Sequence, residues 1–135
     1  MSPNRQRPAT PLLLLVLCLT VWHAIRLQTA LAWYDVLGEL APVPGPLYTA
    51  ATGAAWLLIG AFVLWCLVRR MPWTADILLG AALAHTIWYW VDRLTLQSPH
   101  ANWPFMLVVN MILLGYILAL TLPHLSSVAI LKRGV

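Results

Sequence analysis

Apolar residues form four long segments that short polar or proline-rich stretches separate. Each segment is close to the roughly 20 residues that an apolar helix needs to cross a bilayer. The segments cover residues 11–33, 47–68, 74–94 and 105–124. This pattern predicts an all-α integral membrane protein, in which four transmembrane helices form an up-down bundle and a single domain over residues 1–135.

Helix-breaking residues occupy the connections between these segments. Residues 42–46 read Pro-Val-Pro-Gly-Pro, residues 69–72 read Arg-Arg-Met-Pro, and residues 98–102 read Ser-Pro-His-Ala-Asn. Proline lacks a backbone N–H and its ring clashes with the preceding helical turn, so a helix is expected to end near each stretch. Connections this short predict that consecutive helices run antiparallel.

Composition places the chain in a lipid environment. Hydrophobic residues make up 61% of it and charged residues 9%, whereas a soluble domain usually carries about 25% charged residues. The net charge of +4 comes from basic residues that are scattered beside the apolar segments. They are typical of topology signals, and we expect the lipid bilayer, rather than nucleic acid, as the partner.

Basic residues alternate with acidic ones from loop to loop, and this alternation predicts the orientation. The basic residues next to the segments are Arg5, Arg7, Arg69, Arg70, Lys132 and Arg133. The other two loops carry Asp35, Glu39 and the Asp92-Arg93 pair. The positive-inside rule then predicts cytoplasmic N and C termini for a protein of the bacterial inner membrane.

An alternative reading makes the N-terminal segment a signal peptide that is cleaved after Ala30-Leu31-Ala32. Cleavage there would leave three helices and would remove Arg26. The apolar run continues past the usual length of a signal-peptide core, which favours a retained helix.

Every segment carries a polar residue at a similar predicted depth, counted at about 1.5 Å per residue along each helix. This predicted polar layer consists of Arg26, Thr52, Tyr89, Asp92 and Asn110. Ionisable groups are costly at bilayer depth and often mark a site or a buried pair. We therefore expect the polar layer to lie in the outer half of the bundle.

Arg26 allows three interpretations. An arginine at a helix centre costs roughly 2.5 to 3.5 kcal/mol on the insertion scale, which the leucines of the first segment offset. Its side chain can therefore snorkel to the outer headgroups without a partner. It can instead pair with Asp92, bridged by Tyr89 or Asn110, or it can bind a ligand directly.

Two histidines at similar depth, His23 and His85, allow a haem or pigment site. Two imidazoles that face one cavity are ligands for haem iron, and a nearby arginine can hold a propionate. In addition, Ala81-x-x-x-His85 followed by Trp88 resembles the pigment-binding stretch of bacterial light-harvesting polypeptides. The resemblance covers part of one helix and implies His85 as a (bacterio)chlorophyll ligand. Hydrogen-bonded packing is the simpler alternative for both histidines.

Small residues indicate where helices approach each other closely. The second segment carries Gly53 and Gly60 on one stripe, and the third carries Gly80 and Ala84 in a small-xxx-small pattern. In lipid, such residues let helix backbones come together. They predict close packing within the bundle, an interface with another subunit, or both.

Motifs for catalysis are missing from the sequence. Cys18 and Cys66 do not form a C-x-x-C pair, which argues against a quinone-linked thiol oxidase, and no phosphate loop, zinc-spaced cluster or nucleophile elbow occurs. We expect a non-enzymatic protein without cofactor or metal. We expect it to be an accessory or structural subunit of a larger bacterial membrane complex, in contact with other membrane subunits or with a second copy of itself. The alternatives are an electron-transfer protein that binds haem or pigment through His23 and His85, and a small oligomeric transporter or channel.

Overall fold

The computed structural model describes residues 9–40, 45–96 and 102–133, and it describes side chains for residues 10–39, 45–96 and 102–121. The predicted loop residues 42–44 and 98–101, and the basic residues Arg5 and Arg7, lie outside the described residues. The side chains of Lys132 and Arg133 are also outside them.

All regular elements of the described residues are α-helices. They are α1 (Ala9–Ala32), α2 (Tyr34–Leu40), α3 (Pro46–Arg69), α4 (Thr74–Thr95) and α5 (Trp103–Arg133). Their order matches the four predicted segments, except that the short helix α2 was not predicted and that α5 continues through Pro123, where the sequence predicted an end. Proline is tolerated more readily inside apolar membrane helices, because neighbouring groups can satisfy the freed backbone carbonyl.

The chain divides into two compact units, Met1–Met71 and Pro72–Val135. The first unit contains α1, α2 and α3, and the second contains α4 and α5. The predicted single domain over residues 1–135 stays a prediction.

The end of α3 has a defined geometry. Arg70 adopts the left-handed conformation, with φ 52° and ψ 44°. Its N–H donates to the carbonyl of Leu67 at 3.3 Å, and the N–H of Met71 donates to the carbonyl of Cys66 at 3.2 Å. This pair of hydrogen bonds is a Schellman motif, in which glycine is usual because a side chain costs about 1 kcal/mol or more there. Pro72 follows directly and prevents the helix from resuming at once.

In the first unit, α1 packs against α3 along one stripe of each helix. The buried residues are Leu12, Val16, Thr20, His23 and Ala30 on α1, and Ala50, Gly53, Val63 and Cys66 on α3. On both helices they recur at intervals of mostly three and four residues, so they face one side of the helix. Ala50 and Gly53 of α3 thus lie buried on this stripe, whereas Ala51, Ala55 and Ala61 of the same helix are exposed.

Two glycines of α3 fix how α1 and α3 meet. A Cβ atom added at Gly53 would lie 3.1 Å from the backbone nitrogen of Leu27, and one added at Gly60 would overlap the hydroxyl of Thr20. From the contact of Gly53 with Leu27 to the contact of Gly60 with Thr20, residue numbers rise by seven along α3 and fall by seven along α1. The two helices are therefore antiparallel. The hydroxyl of Thr20 donates to the carbonyl of Val16 at 2.7 Å, which satisfies it within its own helix.

In the second unit, α4 packs against α5. Leu78 and Asp92 are buried on α4, and Ile117 and Thr121 are buried on α5. The hydroxyl of Thr121 donates to the carbonyl of Ile117 at 2.9 Å. A threonine that bonds to its own helix can lie in an apolar surrounding without an unsatisfied donor.

Three of the described helical segments are long and apolar enough to cross a membrane: Thr10–Ala32, Pro46–Arg69 and Trp103–Thr121. Helix α4 is not among them, and it carries Asp76, His85, Asp92 and Arg93. The fold is therefore all-helical, with three candidate membrane-spanning helices.

Candidate functional site

A cavity of about 350 Å³ lies in the first unit, and one face of α1 forms much of its wall. The residues of α1 that line it are Trp22, Ile25, Arg26, Thr29 and Ala30. Because these positions are three or four residues apart, they project from α1 on one side. Arg26 contributes the positive charge of the cavity.

The other walls of the cavity come from α2 and from the start of α3. Leu37 lines it from α2, and Pro46 and Thr49 line it from the first turn of α3. Helix α2 follows α1 after a turn residue, Trp33, whose N–H donates to the carbonyl of Thr29 at 3.0 Å and whose carbonyl accepts from the N–H of Leu37 at 2.8 Å. Contacts of α2 with both α1 and α3 hold it there.

The surface of the cavity is almost wholly apolar, although three of its lining residues, Arg26, Thr29 and Thr49, have polar side chains. The hydroxyl of Thr49 donates to the carbonyl of Gly45 at 3.3 Å. The start of α3 also brings the positive end of its helix dipole to this side. The cavity is therefore mainly apolar, and Arg26 is the charged residue among its described lining residues.

The described lining of the cavity carries one ionisable side chain, that of Arg26. The eight residues that line it, all within the described part of the chain, include no carboxylate, imidazole, thiol or amine.

The predicted polar layer is divided between the two units. Arg26 and Thr52 belong to the first unit, and Tyr89, Asp92 and Asn110 belong to the second. Asp92 is 2% exposed, and Arg26 and Asn110 are half-buried. The hydroxyl of Thr52 donates to the carbonyl of Tyr48 at 2.9 Å, within its own helix. The pairing of Arg26 with Asp92 stays a prediction.

The two histidines have aromatic neighbours. His23 is 4% exposed, and its ring stacks on Trp56 of α3 at 6.2 Å with an interplanar angle of 29°. His85 is half-buried and lies 5.6 Å from Trp88 of the same helix, at an angle of 57°. The described residues contain no group of three or more His, Cys, Asp or Glu side chains that could hold a metal ion. Ligation of haem or pigment by these histidines stays a prediction.

The small residues lie in different surroundings. Gly53 and Gly60 face α1 at short distances. A Cβ atom added at Gly80 would meet nothing within 4 Å, and Gly80 and Ala84 are both exposed. The first pair thus serves packing within the first unit, and the second pair lies on an open surface of α4.

Arg93 and Asn102 form a cluster that sequence reasoning did not assign. One guanidinium nitrogen of Arg93 donates to the hydroxyl of Tyr89 at 3.1 Å, and the other donates to Oδ1 of Asn102 at 2.6 Å. The cluster links the end of α4 to the residue that precedes α5. The four-residue spacing of Tyr89 and Arg93 was a usable signal, since such pairs adjoin on a helix, but the approach of Asn102 depends on the loop between the helices.

Comparisons with protein-family models, with curated proteins and with solved structures gave no match for this chain. The class of the protein therefore rests on its own fold, which is all-helical with three helices that could cross a membrane.

Proposed function

We propose that this protein is an accessory subunit of a larger complex in the bacterial inner membrane and that it has no catalytic activity of its own. The observation that carries the proposal is the contrast between the glycines of α3 and α4. Gly53 and Gly60 are covered by α1, whereas Gly80 has open space beside it.

The open face of α4 has the form of a helix-packing surface. Its exposed residues are Gly80, Ala84, Ile87 and Val91, which follow one another at intervals of four and three. Helices associate in lipid through close contact and not through release of water, so small residues at such intervals favour a partner helix. The proposed partner is a transmembrane helix of another subunit.

This proposal includes a membrane crossing by α4, which makes four spans with both termini in the cytoplasm. Helix α4 has 22 residues, enough for about 33 Å, and its acidic and basic residues lie near its two ends. With three spans, Lys132 and Arg133 would face the outside while Arg69 and Arg70 face the cytoplasm. The positive-inside rule disfavours that arrangement.

Labelling of single cysteines in intact cells tests the crossing. Cys18 and Cys66 are first replaced by alanine, and Ser98→Cys is then treated with a thiol reagent that does not permeate membranes. We expect Ser98→Cys to be labelled from outside, as the control Glu39→Cys is, and Asp76→Cys to stay unlabelled. Protection of Ser98→Cys together with labelling of Glu39→Cys would contradict the four-span topology.

Native purification tests the role as a subunit. The tagged full chain is isolated from its own membranes in mild detergent, alongside Gly80→Leu and the matched control Gly115→Leu, whose site is also open. We expect one defined partner protein with the parent chain and with Gly115→Leu, and its loss with Gly80→Leu. Isolation of a lone monomer or of a homo-oligomer would contradict the proposal, and so would a partner that Gly80→Leu retains.

A further inference from the structure

The end of α3 carries two adjacent arginines, Arg69 and Arg70. Arg69 is the last residue of the helix, and Arg70 is the residue that caps it. Both belong to the first unit, and both side chains are exposed. Two positive charges therefore lie on the surface at one end of a helix that could cross a membrane.

An exposed stripe of α3 leads to these arginines. The stripe consists of Leu58, Phe62, Trp65 and Arg69. All four side chains are exposed, and they follow one another at intervals of four, three and four residues, so they lie on one face of the helix. The rings of Phe62 and Trp65 are 6.0 Å apart. The stripe thus changes from aliphatic to aromatic to cationic toward the end of α3, which is the order typical of a membrane helix that passes from hydrocarbon to headgroups.

The backbone at Arg70 is unusual. Among the described residues, Arg70 is the non-glycine residue with a positive φ, at 52°. It occupies the position of a Schellman motif where glycine is usual, because a Cβ atom is strained there. Strained positions of this kind cluster at sites where the side chain has a function. The side chain that is kept here adds a second guanidinium group next to Arg69.

We propose that the end of α3 is a binding surface for acidic phospholipids. The guanidinium groups of Arg69 and Arg70 bind lipid phosphate, Trp65 packs beside the glycerol region, and Phe62 packs beside the acyl chains. The proposal requires that α3 crosses the membrane. It does not depend on the role as a subunit.

Charge complementarity and the position on α3 identify the occupant. Two adjacent guanidinium groups favour an anion, and each can form two parallel hydrogen bonds with a phosphate. A zwitterionic lipid brings an ammonium group of its own, which the second arginine repels. Because the exposed apolar part of the stripe ends at Arg69, the anion at this position belongs to the headgroup layer of the bilayer. Each basic residue near an anionic membrane surface contributes about fivefold in affinity.

A simpler role for the two arginines predicts a different result. Basic side chains at the C-terminus of a helix also stabilise the helix dipole. If that were their whole role, neutral variants would lower stability and would leave the preference among lipids unchanged. Arg70→Gly separates the two roles, because it removes the charge and at the same time relieves the strain of the left-handed backbone.

Native mass spectrometry of the full chain in detergent tests the surface. The protein is titrated with phosphatidylglycerol and with phosphatidylcholine that carries the same acyl chains. We expect phosphatidylglycerol to bind at least about fivefold more tightly. Arg69→Gln and Arg70→Gln should each weaken phosphatidylglycerol binding about fivefold and leave phosphatidylcholine binding unchanged. The matched control Arg93→Gln, whose guanidinium group donates to Tyr89 and Asn102, should stay within about twofold of the parent chain.

Arg70→Gly gives the sharpest comparison. We expect it to weaken phosphatidylglycerol binding as much as Arg70→Gln does. We also expect it to move the midpoint of unfolding to a higher concentration of denaturing detergent, since glycine adopts a positive φ without strain. Arg70→Lys retains both the charge and the strain, so it should keep phosphatidylglycerol affinity within about threefold and leave the midpoint unchanged.

Three outcomes would overturn the proposal. Equal affinity of the parent chain for the two lipids would remove the role of charge. Parent affinity for phosphatidylglycerol in Arg70→Gly, or in the double variant of Arg69→Gln with Arg70→Gln, would assign lipid binding to other residues. Displacement of the lipid by inorganic phosphate at equal concentration would identify a soluble anion as the ligand.

Discussion

The two helix pairs of this protein differ in how closely their backbones approach. Between α1 and α3, Gly60 faces Thr20 so closely that a Cβ atom has no room, and Gly53 faces the backbone of Leu27 closely enough to leave a Cβ atom little room. In α4 and α5, Gly80 and Gly115 have nothing within 4 Å of such an atom. The same residue type therefore serves close packing in the first unit and stays on an open surface in the second.

This difference matters more in lipid than in water. Lipid chains are as apolar as leucine, so helix pairing there depends on van der Waals contact and on hydrogen bonds. The first unit obtains that contact from small residues on α3. The second unit has the cluster of Tyr89, Arg93 and Asn102 at one end of α4, and its small residues Gly80 and Ala84 are exposed.

The largest expected effect is at the helix crossing of the first unit. Gly60→Leu forces a side chain into the position of Thr20, and overpacking of this kind typically costs about 1 to 3 kcal/mol. We expect a loss of about 3 kcal/mol in the free energy of unfolding, measured by titration with a denaturing detergent. Gly115→Leu should leave stability unchanged or slightly higher, since leucine is the better helix former. Equal effects of the two changes would show that α1 and α3 do not pack as described.

A smaller effect is expected at the histidines. His23→Ala removes a ring that is buried against Trp56, which should cost about 2 kcal/mol because the void forfeits its packing contacts. His85→Ala should cost about 1 kcal/mol, since that ring is only half-buried. The same unfolding titration measures both. A larger loss of stability for His85→Ala than for His23→Ala would contradict our assignment of tighter packing to the ring of His23.

Three of the main helices could be predicted from hydropathy because each has a long segment of high mean hydropathy. Helix α4 could be predicted from the mostly apolar run between Asp76 and Asp92. Helix α2 could not, since its seven residues, Tyr34–Leu40, are too few to give a periodic signal or to be stable alone. It packs against α1 and against α3, and the contact with α3 forms only when the chain folds back. The end of α5 was predicted too early, because proline is a weaker stop signal in apolar helices than in soluble ones.

The candidate site was only partly accessible to sequence reasoning. Arg26 was identifiable because a charge within an apolar segment is unusual and costly. The cavity beside it was not, because Leu37 and Thr49 reach it only through the packing of α2 and α3 against α1. Depth counting aligned polar residues across helices, but it carries no information about which helices are neighbours.

The smallest effect is expected in the second unit, at the hydrogen bond between Arg93 and Asn102. This bond is short at 2.6 Å but exposed, and exposed charged contacts contribute about 0.2 to 1 kcal/mol. A double-mutant cycle of Arg93→Gln and Asn102→Ala should therefore give a coupling energy of about 0.5 kcal/mol. Arg69→Gln combined with Asn102→Ala is the control, and these two changes should be additive. Additive effects of Arg93→Gln and Asn102→Ala would mean that this hydrogen bond does not hold the start of α5 to α4. Packing alone would then join helices α4 and α5, as it joins α1 and α3.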